Sequence, residues 1–206
     1  MLYPGGTKIL IAYCTNSGST AEVAEAIRDA LVEGKFGAEV RRIEEVGDLS
    51  PYAAAIVGGP MILGWHRKAV RFLRRHMEAL SRMPTALFFT GMQVTRTGEE
   101  ERFGLPILLD PRVVREPARP GHLSFKERFT TVGHYLRPIR RLIPAIRPLG
   151  AAFFAGKLDY RALSIPQMLF VLLAIAARPG DLRNWDLIRD WARELRPRLA
   201  SAKEAS

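Results

Sequence analysis

The chain has 206 residues, 48% of them hydrophobic, which is enough for one fully cored domain and leaves no long polar tract that would argue for disorder. Its single cysteine, Cys14, excludes an internal disulfide and a cysteine-rich metal site, and it fits a reducing compartment. The formal charge of +10 is uneven: residues 112–147 carry nine Lys/Arg against two acids, a net +7, which leaves +3 for the rest. Such asymmetry points to an anionic partner (a lipid surface, an acidic substrate or nucleic acid) or to a solvated basic face. The opening MLYPGGTKIL lacks a basic stretch ahead of a cleavable apolar segment, so the expected location is cytoplasmic.

KILIAY (8–13) is a short apolar run bounded by turn residues and reads as a buried parallel strand. TAEVAEAIRDALVEG (20–34) is helical: Ala21, Ala24, Ile27 and Leu31 recur at three- and four-residue spacing, Ser19 or Thr20 caps it, and Gly34 stops it. AEVRRIEEV (38–46) is a second strand of edge character, and AAAIVGGP (53–60) a third, central one. RKAVRFLRRHMEAL (67–80) is the next helix, with Val70, Leu73, Met77 and Leu80 as its apolar stripe. TALFFTG (85–91) and GAAFFAGKL (150–158) are strands four and five. NWDLIRDWARELRPRL (184–199) closes the chain as a helix with Trp185, Ile188, Trp191, Ala192 and Leu195 inward. Alternating strands and amphipathic helices predict one α/β domain over 7–200, an open parallel sheet covered on both faces, with 201–206 a disordered tail.

The turn after the first strand is the most informative stretch. Thr15, Asn16, Ser17, Gly18, Ser19 and Thr20 are nearly all small hydrogen-bonders, more than a turn requires. They stand where a strand meets the carboxyl edge and a helix begins, a place where N–H groups and a partial positive charge favour an anion. The Rossmann G-x-G-x-x-G is absent, and no Lys follows the glycine as in a P-loop. A hydroxyl-rich loop without Lys suits a monophosphate that is already dianionic, which describes FMN.

Thr15-Asn16-Ser17-Gly18-Ser19-Thr20 resembles the flavodoxin phosphate loop, [ST]-x-[ST]-G-x-[ST], at every specified position. The long stretch after strand four, AGKLDY at strand five, the apolar run after it and NWDLIRDWARE look like the menaquinone-dependent protoporphyrinogen oxidase branch of the flavodoxin-like proteins. The resemblance covers most of residues 8–199 and is weakest over 98–147. It implies a three-layer sandwich with a five-stranded parallel sheet in the order 2-1-3-4-5 and a basic insertion at 98–147. It also implies two loops around the flavin ring. The first holds Pro60, Met61, Ile62 and Trp65, with Trp65 either stacking on the ring or packing over the next helix, and Met61 or Ile62 shielding it. The second holds Gly91, Met92, Gln93 and Val94, whose backbone groups and Gln93 side chain face the pyrimidine edge. Arg67 and Lys68 beside the first loop would raise the flavin potential.

The implied function is FMN-dependent dehydrogenation of protoporphyrinogen IX with a quinone as acceptor. Two alternatives stand beside it: an electron-carrying flavodoxin with no substrate of its own, and a flavodoxin-like binding module that has lost FMN. His66 is placed to relay protons or is a bystander; His76 reads as a surface residue, Cys14 as a packing residue. No metal site is expected, and the basic segment carries few aromatics, so no nucleic acid is expected. YLRPIRRLIPAIRPLG (135–150) alternates Arg with Ile and Leu. Three readings are open: it rests on an anionic bilayer with its isoleucines inserted, it caps the flavin cleft, or it packs on its own domain. MLFVLLAIAA (168–177) is too short for a bilayer crossing, which needs about 20 residues, and reads as a core helix.

Overall fold

The computed structural model describes residues 8–61, 64–98, 101–158 and 180–201. The expected apolar helix over 168–177, Ile62 and the tail 202–206 lie outside the described residues.

In chain order the strands are β1 (Lys8–Tyr13), β2 (Gly37–Arg42), β3 (Tyr52–Pro60), β4 (Thr85–Gly91), β5 (Val94–Thr95), β6 (Glu101–Arg102), β7 (Leu105–Leu109), β8 (Val114–Arg115), β9 (Ala151–Ala155), β10 (Lys157–Leu158) and β11 (Gly180–Asp181). The helices are α1 (Ser19–Glu33), α2 (Arg67–Arg75), α3 (Met77–Ser81), α4 (Phe125–Arg128), α5 (Val132–Leu136), α6 (Ile143–Ile146) and α7 (Trp185–Ser201). Short 3-10 turns cover Ile43–Glu45 and Arg137–Ile139.

Among the described residues the main sheet has seven strands in the order β2-β1-β3-β4-β9-β7-β6. Its first five members are parallel neighbours in the expected order 2-1-3-4-5, with β9 in the fifth place. The five-strand expectation falls short because the stretch after β4 contributes two strands of its own: β7 pairs parallel with β9, and β6 pairs antiparallel with β7. Strand β9 is therefore interior, which suits a run, AAFFA, buried at every position. The short strand pairs β5–β8 and β10–β11 stand apart from this sheet.

Side chains alternate across the sheet. Ile9, Ile11, Ile56, Phe88 and Phe154 face α1 and α7; Leu10, Val57, Leu87, Phe89 and Phe153 face α2, α3, α5 and α6. Phe89 and Phe153 stack at 4.4 Å between neighbouring strands. Glycine is needed at Gly58 for this packing: a Cβ there would lie 1.9 Å from the Phe88 ring.

The expected helix over 67–80 is two helices. It bends at His76, which ends α2 and opens α3, and Met77 turns outward at 39% exposure while Val70, Leu73 and Leu80 stay buried. His76 is half-buried with its ring 4.6 Å from Phe72, not a free surface group. The second strand stops at Arg42 and leads into the 3-10 turn, earlier than expected.

The basic segment supplies the helical cover between β4 and β9. Leu136, Ile139, Ile143 and Ile146 are all buried against the sheet, while Arg137, Arg140, Arg141 and Arg147 are exposed. Those isoleucines are spent on the domain's own core, so a bilayer contact through their insertion is not available to this fold. Ile139→Ala is expected to cost about 2–4 kcal/mol in chemical denaturation, whereas Arg140→Ala should stay within about 0.5 kcal/mol of the parent.

Candidate functional site

Three loops meet at the carboxyl edge of β1, β3 and β4. The first is the hydroxyl-rich turn. Gly18 takes φ +87° and precedes α1, whose amino end carries no side-chain cap. Ser19 is the first helical residue and Gly18 the cap position, so the expected capping by Ser19 or Thr20 does not occur. The Gly18 N–H donates to the Thr15 hydroxyl at 2.9 Å, which curls the turn. Asn16, Ser17 and Gly18 are exposed, and a Cβ placed on Gly18 would meet open space. The Ala21 N–H donates to the Gly18 carbonyl at 2.9 Å, which leaves the Ser19 and Thr20 amides, with the positive end of the helix dipole, at the turn without an in-helix acceptor. Thr20 departs from the expectation of a phosphate-facing hydroxyl. It is fully buried, and its hydroxyl lies 2.9 Å from that of Thr90, tying α1 to β4.

The second loop leaves β3. Its Met61 N–H donates to the Thr90 carbonyl, and the His66 N–H to the Pro60 carbonyl, so the loop closes on itself at its base. Pro60 is half-buried and Met61 buried. Trp65 is 3% exposed, its ring 4.5 Å from Phe89, and its indole N–H reaches the Gly59 carbonyl at 3.3 Å. Of the two readings for Trp65, this places the indole in the core and leaves no open face for a flavin. The physical reason is the glycine pair behind it. Gly58 and Gly59 make room for Phe88, Cys14 and Trp65 themselves, not for a ligand.

His66 joins the first two loops. Its Nε2 lies 3.1 Å from the Asn16 side-chain oxygen, and its Nδ1 accepts the Lys68 N–H at 3.2 Å as the cap of α2. An Nδ1 that accepts carries no proton, so the ring is neutral and Nε2–H donates to Asn16. Burial first, and then the Lys68 charge, hold its pKa below the usual histidine value. Lys68 is itself 2.5 Å from Glu44, whereas Arg67 makes no ion pair with a described residue.

The third loop follows β4. Gly91 accepts the Gly156 N–H, Met92 and Gln93 are half-buried, and the Gln93 carbonyl accepts the Tyr135 hydroxyl at 3.2 Å. Val94 is buried, and its N–H donates to Val113. Its side chain and amide therefore hold the insertion in place and do not face the site. Thr95 likewise bonds Thr130 at 2.7 Å. Cys14 is buried, and burial pushes its thiol up to about 12, so it stays protonated as a packing residue.

A family model described as a flavodoxin domain matches residues 10–173. The chain belongs to the flavodoxin-domain family. Among solved structures, rubredoxin oxygen:oxidoreductase from Desulfovibrio gigas superposes with a TM-score of 0.51 at 9% identity, covering 98% of this chain and 38% of that one. The flavodiiron protein from Giardia intestinalis gives 0.50 at 10% identity over 96% of this chain and 37% of that one. The chain thus spans well under half the length of those two proteins. A flavodoxin from the domain Archaea gives 0.50 at 10% identity, over 94% and 99% of the two chains. At such identities the likeness concerns the fold alone. No curated protein matches the chain.

Membership of the flavodoxin-domain family implies FMN as the cofactor. The turn fits its phosphate. An uncapped helix end, a glycine in the left-handed region and exposed Asn16 and Ser17 make a cradle for a dianion. Thr15, Asn16, Ser17, Gly18 and Ser19 stand together at the open end of α1, and Pro60, Met92 and Gln93 stand half-buried in the loops after β3 and β4. Among the described residues no cluster of His, Cys, Asp and Glu could hold a metal, and no helix is long and apolar enough to cross a membrane.

Reading residues in order did not find Asp110, which directly follows β7 in LPILLD. Its buried carboxylate accepts the Arg112 N–H at 2.9 Å and the Ala155 N–H at 3.0 Å, pinning the insertion to the end of β9. A lone acid closing an apolar strand was its only signal. Nor did sequence order show Arg183. It is buried and ion-paired with Asp181 and with Glu22 in the first turn of α1, and it stacks on Trp185 at 4.4 Å.

Gly18→Val should weaken FMN binding at least about tenfold, or about 1.4 kcal/mol, as read by fluorescence titration; unchanged affinity would remove the phosphate cradle. For His66 the folded pKa lies below the unfolded value near 6.5. The stability it contributes is therefore fully present above pH 6.5 and is lost as pH falls below that value toward the folded pKa. Thermal midpoints measured across this range should fall less steeply in His66→Gln than in the parent.

Proposed function

We propose that this flavodoxin domain is an FMN-dependent oxidoreductase that dehydrogenates protoporphyrinogen IX and passes the electrons to a quinone. The observation that carries the case for a substrate of its own is the knitting of the insertion to the loop after β4. Val94 bonds Val113, Thr95 bonds Thr130, and Tyr135 bonds Gln93, so residues 113–135 stand as a wall beside the loop expected at the ring. A carrier that only presents a ring edge to other proteins has no need of such a wall.

When bound, FMN supplies the capacity to take up hydride or electrons. The chain's own residues do the rest. The open end of α1 and the Thr15–Ser19 turn hold the phosphate. His66, neutral and bonded to Asn16, keeps the phosphate turn and the ring loop in fixed register. Arg67 supplies positive charge beside the ring loop and favours an anionic reduced flavin. The identification of the porphyrinogen rests on the resemblance of AGKLDY and NWDLIRDWARE to the protoporphyrinogen oxidase branch and on the basic character of the insertion.

Anaerobic assay of purified, FMN-loaded protein with protoporphyrinogen IX and a soluble menaquinone analogue tests the proposal. The expected result is growth of porphyrin fluorescence that depends on both FMN and quinone. A flavin spectrum without turnover would reduce the protein to an electron carrier. A colourless protein that takes up no FMN would make it a binding module.

A further inference from the structure

A second concave site lies on the helical face away from the three loops. Arg74 on α2 and Arg137, Arg140 and Arg141 after α5 surround a groove of about 900 Å³. Met77, Pro138 and Leu142 supply its apolar lining. Arg74 stands seven residues beyond Arg67, about 10 Å along the helix and away from the ring loop. No residue of the phosphate turn or the ring loops lines the groove.

Two features separate this groove from an ordinary solvated face. First, four guanidiniums without a carboxylate partner among the described residues line one concave surface. Arg28, Arg41, Arg82, Arg96, Arg183 and Arg193 each pair with a described carboxylate while others such as Arg67 and Arg71 do not, so what marks the groove is that four unpaired ones meet at one surface. The guanidinium groups of the four groove arginines make no hydrogen bond or ion pair with any described residue, and Glu78 on nearby α3 is turned to Arg82 at 2.7 Å. Four exposed guanidiniums drawn from stretches more than sixty positions apart in sequence concentrate positive potential at one surface, which a multivalent anion would meet. Second, the lining is apolar where the charges converge. Met77 is 39% exposed there, although the helical pattern of 67–80 would bury it.

We propose that this groove binds an amphipathic small molecule bearing two or more carboxylate or phosphate groups. Guanidinium forks match such groups in bidentate fashion. Met77, Pro138 and Leu142 take the apolar body. The volume falls within the range of small-molecule sites, roughly 300–1,000 Å³. The assignment does not rest on FMN binding.

Calorimetric titration of the full chain with dodecylmalonate below its micelle-forming concentration, and with inorganic pyrophosphate, tests this. Co-sedimentation with phosphatidylcholine vesicles, with and without phosphatidylglycerol, runs alongside. Dodecylmalonate should bind saturably and more tightly than pyrophosphate. The double variant Arg140→Gln/Arg141→Gln should weaken both at least about tenfold, and Met77→Glu should weaken dodecylmalonate alone. The flavin absorbance of these variants should match the parent, which separates this site from the FMN site. Should the double variant fail to fold, Arg74→Gln replaces it. The proposal is overturned if dodecylmalonate shows no saturable binding, if its binding is indifferent to the substitutions, or if only phosphatidylglycerol vesicles bind. The last result would make the face a lipid contact instead.

Discussion

The open amino end of α1 is the constraint on which the site depends. A parallel sheet must deliver every strand to the same edge, and the chain then turns back through a helix. At β1 that turn is made by Gly18 in the left-handed region, and no side chain caps the helix that follows. The amides left without partners give the edge its attraction for an anion. Thr20, one residue further in, is spent on Thr90 and fixes where that helix end stands relative to β4. The socket is thus a backbone feature held by one buried hydroxyl pair.

The stretch between β4 and β9 does two separate things. Its apolar residues complete the sheet and cover one face. β7 extends the sheet beyond β9, Asp110 pins that extension through the Ala155 amide, and Ile139, Ile143 and Ile146 pack beneath the surface. Its arginines stay outside, and part of them meet Arg74 around the groove. A segment rich in both Arg and Ile therefore needs no membrane to bury its isoleucines. The sheet is nearer, and burying each side chain there is worth about 1.5–3 kcal/mol.

Much of the architecture was legible in residue order because it rests on local patterns. Short apolar runs bounded by turns gave β1, β3, β4 and β9, and three- and four-residue spacing gave α1 and α7. The phosphate turn was legible for the same reason: its residue types and their spacing are contiguous. What failed was whatever depended on distant neighbours. Trp65 in a glycine-rich loop looks free to meet a ring, yet the space Gly58 and Gly59 open is filled by Phe88, Cys14 and Trp65 itself. The edge or interior status of β9 depended on whether LPILL, some forty residues upstream, would pair with it.

The sequence by itself determined the strand order 2-1-3-4-5 of the parallel core, through family likeness, and the chemistry of the first turn, through six adjacent residues. Only the tertiary structure decided that the sheet has seven described strands, that His66 bridges Asn16 and the cap of α2, and that four arginines share one groove. The division has one cause. Hydrogen bonding and periodicity act over a few residues and are written in order along the chain. Packing and charge act through space, between residues whose distance in sequence says nothing of their distance in the fold.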